Sequence, residues 1–320
     1  MLRRLLLGAL IFASCAASAQ QWPSKPIHVV VPNTAGSVGE VLLRAIAPQV
    51  ESKLGQRLLV DNKPGAAGNI GTAEVARAAP DGYTLLLAPT ANYAVNQHLF
   101  PNLGFDPLAA LEPIAMLAEA PLLAVINAEV PARSLKELEQ TVRANPGKLN
   151  YGAPGTGSPS HLTGALFSQL TGNAMVYVPY KGIAPMVQAL LANDIQVTFP
   201  TITTVLGALK TGRVRVLAVM GRERLPELPD VPTTVEAGFP DLVFGNWWVL
   251  SAPRGTDART VERLAREVDA ALADPAVRKR IRDAGHLPTG LSRADTAAFL
   301  RSESARYKKI VETGRIKPEL

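Results

Sequence analysis

The strongest constraint on the fold lies in residues 27–88, where apolar runs alternate with turn-rich loops and helix-patterned stretches. Ile27-His28-Val29-Val30-Val31-Pro32 reads as a strand that runs into the loop Asn33-Thr34-Ala35-Gly36-Ser37-Val38-Gly39-Glu40. A helix over about 41–54 follows, with Val41, Leu42, Ala45, Ile46 and Val50 at helical spacing. Gly55 stops it, and Pro48 inside it predicts a kink. Leu58-Leu59-Val60 is a second strand, residues 61–68 a turn-rich loop, and 70–78 a second helix. After the Pro80-Asp81-Gly82 turn, residues 83–88 form a third strand. This βαβαβ order specifies a parallel sheet with helices on its faces. In an open sheet of that kind the loops after the strands line a crevice. The loop 33–40 and the polar loop Pro89-Thr90-Ala91-Asn92-Tyr93 therefore share one edge.

Residues 114–118 and 122–126 are two apolar runs with almost no helix between them, which reads as a crossing into a second lobe. There the alternation resumes. Ser134 and Glu137 form a capping-box pattern opening a helix with Leu135, Leu138 and Val142 on one face. Strands follow at 149–152, 175–180, 195–199 and 215–219. A helix from His161 to about residue 170 separates the first two, and another reaching Leu191 follows the second. Residues 238–253, with Trp247-Trp248-Val249-Leu250, read as the return crossing, and the Trp pair as core on one face and crevice wall on the other. Asp257 and Ser292 cap two C-terminal helices. The expected architecture is α/β, with two lobes joined by two crossing segments: 20–121 plus 248–320 form lobe 1, and 122–247 form lobe 2.

The N-terminus has the pattern of a signal peptide over residues 1–19. Arg3-Arg4 are the positive region, 5–13 the apolar region, and Ala17-Ser18-Ala19 the cleavage site. No later stretch has the roughly 18 apolar residues of a membrane-spanning helix. Cys15 is the single cysteine; the alternatives are a discarded residue or a lipidation site, the former preferred. The chain is expected to be exported to the periplasm and to carry no disulfide, no Cys-ligated metal and no Cys nucleophile. Only 5% of residues are aromatic and no basic block stands out, which argues against a nucleic-acid partner. The net charge of +6 falls to +4 without Arg3 and Arg4, compatible with anionic ligands.

Several motifs admit a chemical and a plainer reading. Gly155-Thr156-Gly157-Ser158-Pro159-Ser160-His161 follows a strand and opens a helix, so its amides and hydroxyls suit a carboxylate or phosphate. It serves equally as a structural cap. It is neither a Walker loop nor a dinucleotide fingerprint. Ala35-Gly36-Ser37-Val38-Gly39 imitates a nucleophile elbow, but Asn33-Thr34 separate Ser37 from the strand and His98, His161 and His286 lie in no recognisable context. The four histidines lack metal-ligand spacing, and His28 reads as a packed or edge residue. Lys181 is open to three readings: a Schiff-base lysine, a solvated strand-end lysine, or a cationic contact to an anion.

Taken together, Trp22-Pro23-Ser24-Lys25-Pro26-Ile27, Pro64-Gly65-Ala66-Ala67-Gly68-Asn69-Ile70-Gly71 and Pro80-Asp81-Gly82-Tyr83-Thr84-Leu85 carry a resemblance. So do Asn145-Pro146-Gly147-Lys148-Leu149-Asn150-Tyr151, Val178-Pro179-Tyr180-Lys181-Gly182 and Leu228-Pro229-Asp230-Val231-Pro232-Thr233. In this order, over nearly the whole chain after residue 20, they resemble the substrate-binding receptors of tripartite tricarboxylate transporters, the Bug group. The resemblance implies a type II periplasmic-binding-protein fold and a non-enzymatic, monomeric receptor without cofactor or metal. It implies capture of a small carboxylate or acidic amino acid for delivery to integral-membrane permease subunits; a sensor subunit facing a signalling partner is the alternative. Carried over by position, the ligand-binding residues are Asn33, Thr34, Ala35, Gly36, Ser37, Val38, Gly39, Thr90 and Ala91 on the first lobe. On the second they are Thr156, Gly157, Ser158, His161, Tyr180 and Lys181. The chain departs from the family pattern at Val38, where a branched side chain replaces glycine, at Glu40, which stands for Asp, and at Pro200, which follows Phe199 in place of Asp.

Overall fold

The computed structural model describes residues 22–100, 102–172 and 174–317. The signal-peptide and Cys15 readings fall outside the described residues.

Strand β1 (Ile27–Val31) is buried except at His28, because it lies inside a parallel array with β2 on one side and β3 on the other. Helix α1 (Val38–Leu54) begins three residues earlier than the periodicity suggests and runs through Pro48. Leu42, Leu43, Ile46, Val50 and Leu54 are its buried stripe, and Gly55, in the left-handed region at φ 72°, closes it by donating to Glu51 O. Strand β2 (Leu58–Asn62), a short 3₁₀ turn at Ala66–Gly68, helix α2 (Asn69–Ala76) and strand β3 (Thr84–Pro89) complete the first unit. The polar stretch after β3, expected to be a loop, is helical instead. A wide π turn at Ala91–Val95 continues into α3 (Asn96–Leu99). The cause is side-chain anchoring. Asn92 and Asn96 both donate to Ala67 O, while the Tyr93 hydroxyl bonds Val249 O and Ser251 Oγ inside the core.

After α4 (Pro107–Ala110), strand β4 (Leu111–Pro121) leaves the first sheet and β5 (Leu123–Asn127) begins in the second. Helix α5 (Leu135–Ala144) starts where Ser134 Oγ accepts from Glu137 N–H. Strand β6 (Leu149–Ala153), helix α6 (Pro159–Leu170), strand β7 (Met175–Pro179) and helix α7 (Ile183–Ala192) follow. Next come β8 (Val197–Thr198), α8 (Ile202–Leu209) and β9 (Val214–Val219). Strand β10 (Gly245–Pro253) returns to the first sheet between β3 and β4. Helices α9 (Ala258–Ala273) and α10 (Pro275–Asp283), strand β11 (Leu287–Pro288) and α11 (Arg293–Gly314) close the chain.

The result is two mixed sheets, ordered β11-β4-β10-β3-β1-β2 and β7-β6-β8-β5-β9. Backbone hydrogen bonds pin the crossings together. Leu122 N donates to Phe244 O at 2.9 Å, Met220 N to Leu122 O at 2.8 Å and Phe244 N to Met220 O at 2.9 Å. Each sheet has its own apolar cluster, and a third runs across the crossings through Phe244, Trp247 and Tyr307. Helices α8 and α10 were not foreseen. Helix α10 is signalled by Asp274, which caps it, and by Pro275 at its first position.

Candidate functional site

β1 and β3 are parallel, as are β6 and β7, so the loops after each pair emerge together. The second-lobe loop reaches the first lobe at Gly157, where an added Cβ would lie 2.3 Å from Leu99 Cδ2. The sequence-derived residues therefore fall in two loop clusters, the second of which meets the first lobe at Leu99.

On the first lobe, Asn33 O accepts from Asn62 Nδ2 at 3.2 Å, and the Asn33 side-chain oxygen is buried without a partner. Thr34 O accepts from Ser37 N. Thr34, Ala35 and Gly36 are exposed, and Gly36 adopts φ +77° with open space where a Cβ would stand. Ser37 occupies the N-cap of α1 but makes no capping bond, and its hydroxyl is buried and unpartnered. The amides of Val38, Gly39 and Glu40 have no acceptor among the described residues. A 17-residue helix thus presents its positive dipole end with donors and a hydroxyl to spare.

Val38 is not inside the loop, as the sequence pattern implied; it is the first helical residue and packs on the first-lobe core. Gly39 is needed for contact. A Cβ there would stand 2.5 Å from Trp248 Cζ3 and 2.9 Å from Val31 Cγ1, so glycine sets how closely α1 lies on the sheet. Glu40 reaches back to accept from Gly36 N–H at 2.8 Å, and Arg44 grips its other oxygen at 2.6 Å. The Gly36 amide and the guanidinium hold that carboxyl below its usual range.

Thr90 is fully buried, with its hydroxyl accepting from Trp247 N–H at 2.9 Å and facing Asn246 Oδ1 at 3.3 Å. Its side chain belongs to the β3–β10 junction. Ala91 opens the π turn and is half-buried.

On the second lobe, Ser158 Oγ donates to Gly155 O at 2.8 Å and accepts from His161 N–H at 3.3 Å. Gly157 N–H donates to His161 Nδ1 at 3.0 Å, so the imidazole is neutral with its proton on Nε2. Burial pushes His161 down to about 4, and its ring stacks on Tyr177 with centroids 3.9 Å apart. Thr156 Oγ1 lies 3.3 Å from the Tyr177 hydroxyl. Tyr180 N–H bonds Ala153 O, and its half-buried ring covers Gly152. Burial, aided by Asp194, raises that phenol. Lys181 is exposed. Sequence reasoning passed over Asn92, whose Nδ2 bonds Ala67 O and Thr72 Oγ1, and Leu99, the first-lobe contact of Gly157. An asparagine amid the apolar spacing of 93–95 was the available signal.

No acid–base pair serves Ser37. His28 bonds Asp61, His98 bonds Ser304, His161 bonds Gly157, and His286 faces Ala284 O. No group of metal-ligating side chains occurs among the described residues, and no described helix is long and apolar enough to cross a membrane. What remains is an open donor terminus at α1 and, on the second lobe, a loop whose donors are already engaged; the first is suited to holding an anion.

Known proteins share this fold. A family model described as tripartite tricarboxylate transporter family receptor matches residues 42–315. Protein BugT of Bordetella pertussis is 35% identical over 299 residues, covering 93% of this chain and 92% of that protein. Among solved structures, Rhodopseudomonas palustris MatC with bound malate is 32% identical with a TM-score of 0.73, covering 91% of this chain and 100% of that one. R. palustris Rpa4515 with adipate is 33% identical with a TM-score of 0.77, covering 93% and 100% respectively.

Proposed function

The chain belongs to the tripartite tricarboxylate transporter receptor family, a family of binding proteins and not of enzymes, and from that premise we propose that it is a periplasmic receptor for a small carboxylate. The observation that carries this reading is the N-terminus of α1, where three amides and the Ser37 hydroxyl lack acceptors among the described residues. A carboxylate supplies two acceptor oxygens and the negative charge that the helix dipole favours. Residues 33–39 with Thr90 and Ala91 form the first-lobe wall, and Thr156, Gly157, Ser158, Tyr180 and Lys181 the second. Thr90 and Ser158 act through their backbones and His161 by holding the Gly157 amide in place, since all three side chains are already engaged. The lobes divide where β4 gives way to β5 and where β10 begins, and the hydrogen-bonded crossings act as the hinge. The liganded form is handed to membrane permease subunits. The malate and adipate of the related structures make dicarboxylates the first ligands to try.

Calorimetric titration with malate, adipate, aromatic acids and acidic amino acids tests this directly. At least one acid should bind and raise the melting temperature, as any ligand selective for the native state does. A protein indifferent to the whole panel contradicts the proposal.

A further inference from the structure

Trp247 and Trp248 are neighbours on β10 and serve different regions, as alternation along a strand requires. Trp248 packs beside Gly39 in the first-lobe core, next to the loop just described. Trp247 belongs to the cluster that runs across the crossings and lines a cavity of about 1080 Å3. None of the front-loop residues lines that cavity. Its walls come from both lobes, with Met116 and Ile310 from the first and Leu166 and Phe244 from the second.

The floor is apolar, with Met116, Phe244 and Trp247 each 1% exposed. Its polar groups are unevenly satisfied. Among the described residues the buried Trp247 Nε1–H has no acceptor at hydrogen-bond distance, although it lies close enough to the Glu303 carboxylate to favour its charged form, and Arg306 Nε has no acceptor either. Arg306 donates from Nη2 to Glu303 Oε2 at 2.7 Å and from Nη1 to Val243 O, and lies over the Phe244 ring at 4.0 Å. Arg222 lines the cavity within electrostatic reach of Glu119 and Glu303, yet makes no ion pair among the described residues. Burial raises both of those carboxyls, while Arg222 and, for Glu303, Arg306 act in the opposite sense.

Two buried donors without acceptors, an unpaired guanidinium and an apolar floor complement a hydrocarbon body with a carboxylate head. We propose that this cavity is a second ligand site, separate from the front loops, that takes an amphipathic monocarboxylic acid. The tail lies against Phe244, Ile310 and the Trp247 ring, and the head meets the Trp247 indole N–H and Arg222.

The neighbouring tryptophans make the test. In the full chain labelled with 15N-tryptophan, the three indole signals are assigned with Trp22→Phe and Trp248→Phe. Titration with octanoate should move the Trp247 signal saturably and more than that of Trp248, while octylamine, similar in tail and opposite in charge, leaves it in place. Arg222 is exposed, so Arg222→Gln should fold normally and weaken octanoate about fivefold. A shift confined to Trp248 would place octanoate at the front loops and overturn the second site. An equal response to octylamine, unchanged affinity in Arg222→Gln, or no movement of Trp247 would overturn it as well.

Discussion

Gly36 and Gly157 each donate their amide to a side chain four residues on, and the contrast between the two acceptors shows how the lobes divide the work. Gly36 is held by the Glu40 carboxylate, itself held by Arg44, at an exposed edge. Gly157 is held by a neutral His161 buried beneath Tyr177. The caps differ in the same sense. Ser158 closes the N-terminus of α6 with its own hydroxyl, whereas Ser37 leaves that of α1 open. The second-lobe loop is finished before any ligand arrives, and the first-lobe loop is completed by one. The first lobe should therefore carry most of the carboxylate affinity and the second most of the local rigidity.

That division can be attacked first through pH. His161 is depressed to about 4 in the native state against an ordinary 6.5, so between these values the unfolded chain binds a proton that the native chain does not. Stability is retained above pH 6.5 and lost as pH falls toward 4, by as much as about 3 kcal/mol. Urea unfolding at pH 7 and pH 4.5 should show the loss, and His161→Phe should reduce it, leaving the part carried by His98 and His286, which burial lowers in the same sense. A wild-type stability that is level over this range would mean the ring is not held neutral.

Next in size is the packing beneath the open loop. Gly39→Ala places a methyl group against Trp248 and Val31 and should cost about 1–3 kcal/mol of stability, read by thermal unfolding. Because it pushes α1 off the sheet, it should weaken the carboxylate too. Smaller again is Glu40→Gln, which keeps an acceptor for Gly36 N–H and leaves Arg44 unpaired. Anionic ligands should then bind about two- to fivefold tighter, an effect that added salt diminishes.

Much of the frame was legible from the chain, because it rests on local patterns. Apolar runs bounded by Gly and Pro marked the strands, and the near-absence of helix between residues 118 and 122 marked the first crossing. The site was legible only as positions. That Val38 is the first residue of α1, not a plug in the loop, depends on where the helix begins, and periodicity alone placed that three residues late. That Thr90 and His161 are engaged depends on partners about 157 and four residues away, Trp247 and Gly157, neither of which a motif announces. Glu40 stood out as a departure, but its bond back to Gly36 required the turn at φ +77° to be seen.

A matched pair of serine variants tests the contrast between the open α1 terminus and the closed α6 terminus. In calorimetric titrations with the tightest acid of the panel, accompanied by thermal unfolding, Ser158→Ala should lose about 1 kcal/mol of stability through its cap. It should keep near-normal affinity per folded molecule. Ser37→Ala, removing a hydroxyl that has no partner among the described residues, should leave stability within about 0.5 kcal/mol and weaken binding clearly. The reverse pattern, with Ser37→Ala destabilised and binding unchanged, would contradict the assignment of the open α1 terminus as the carboxylate anchor.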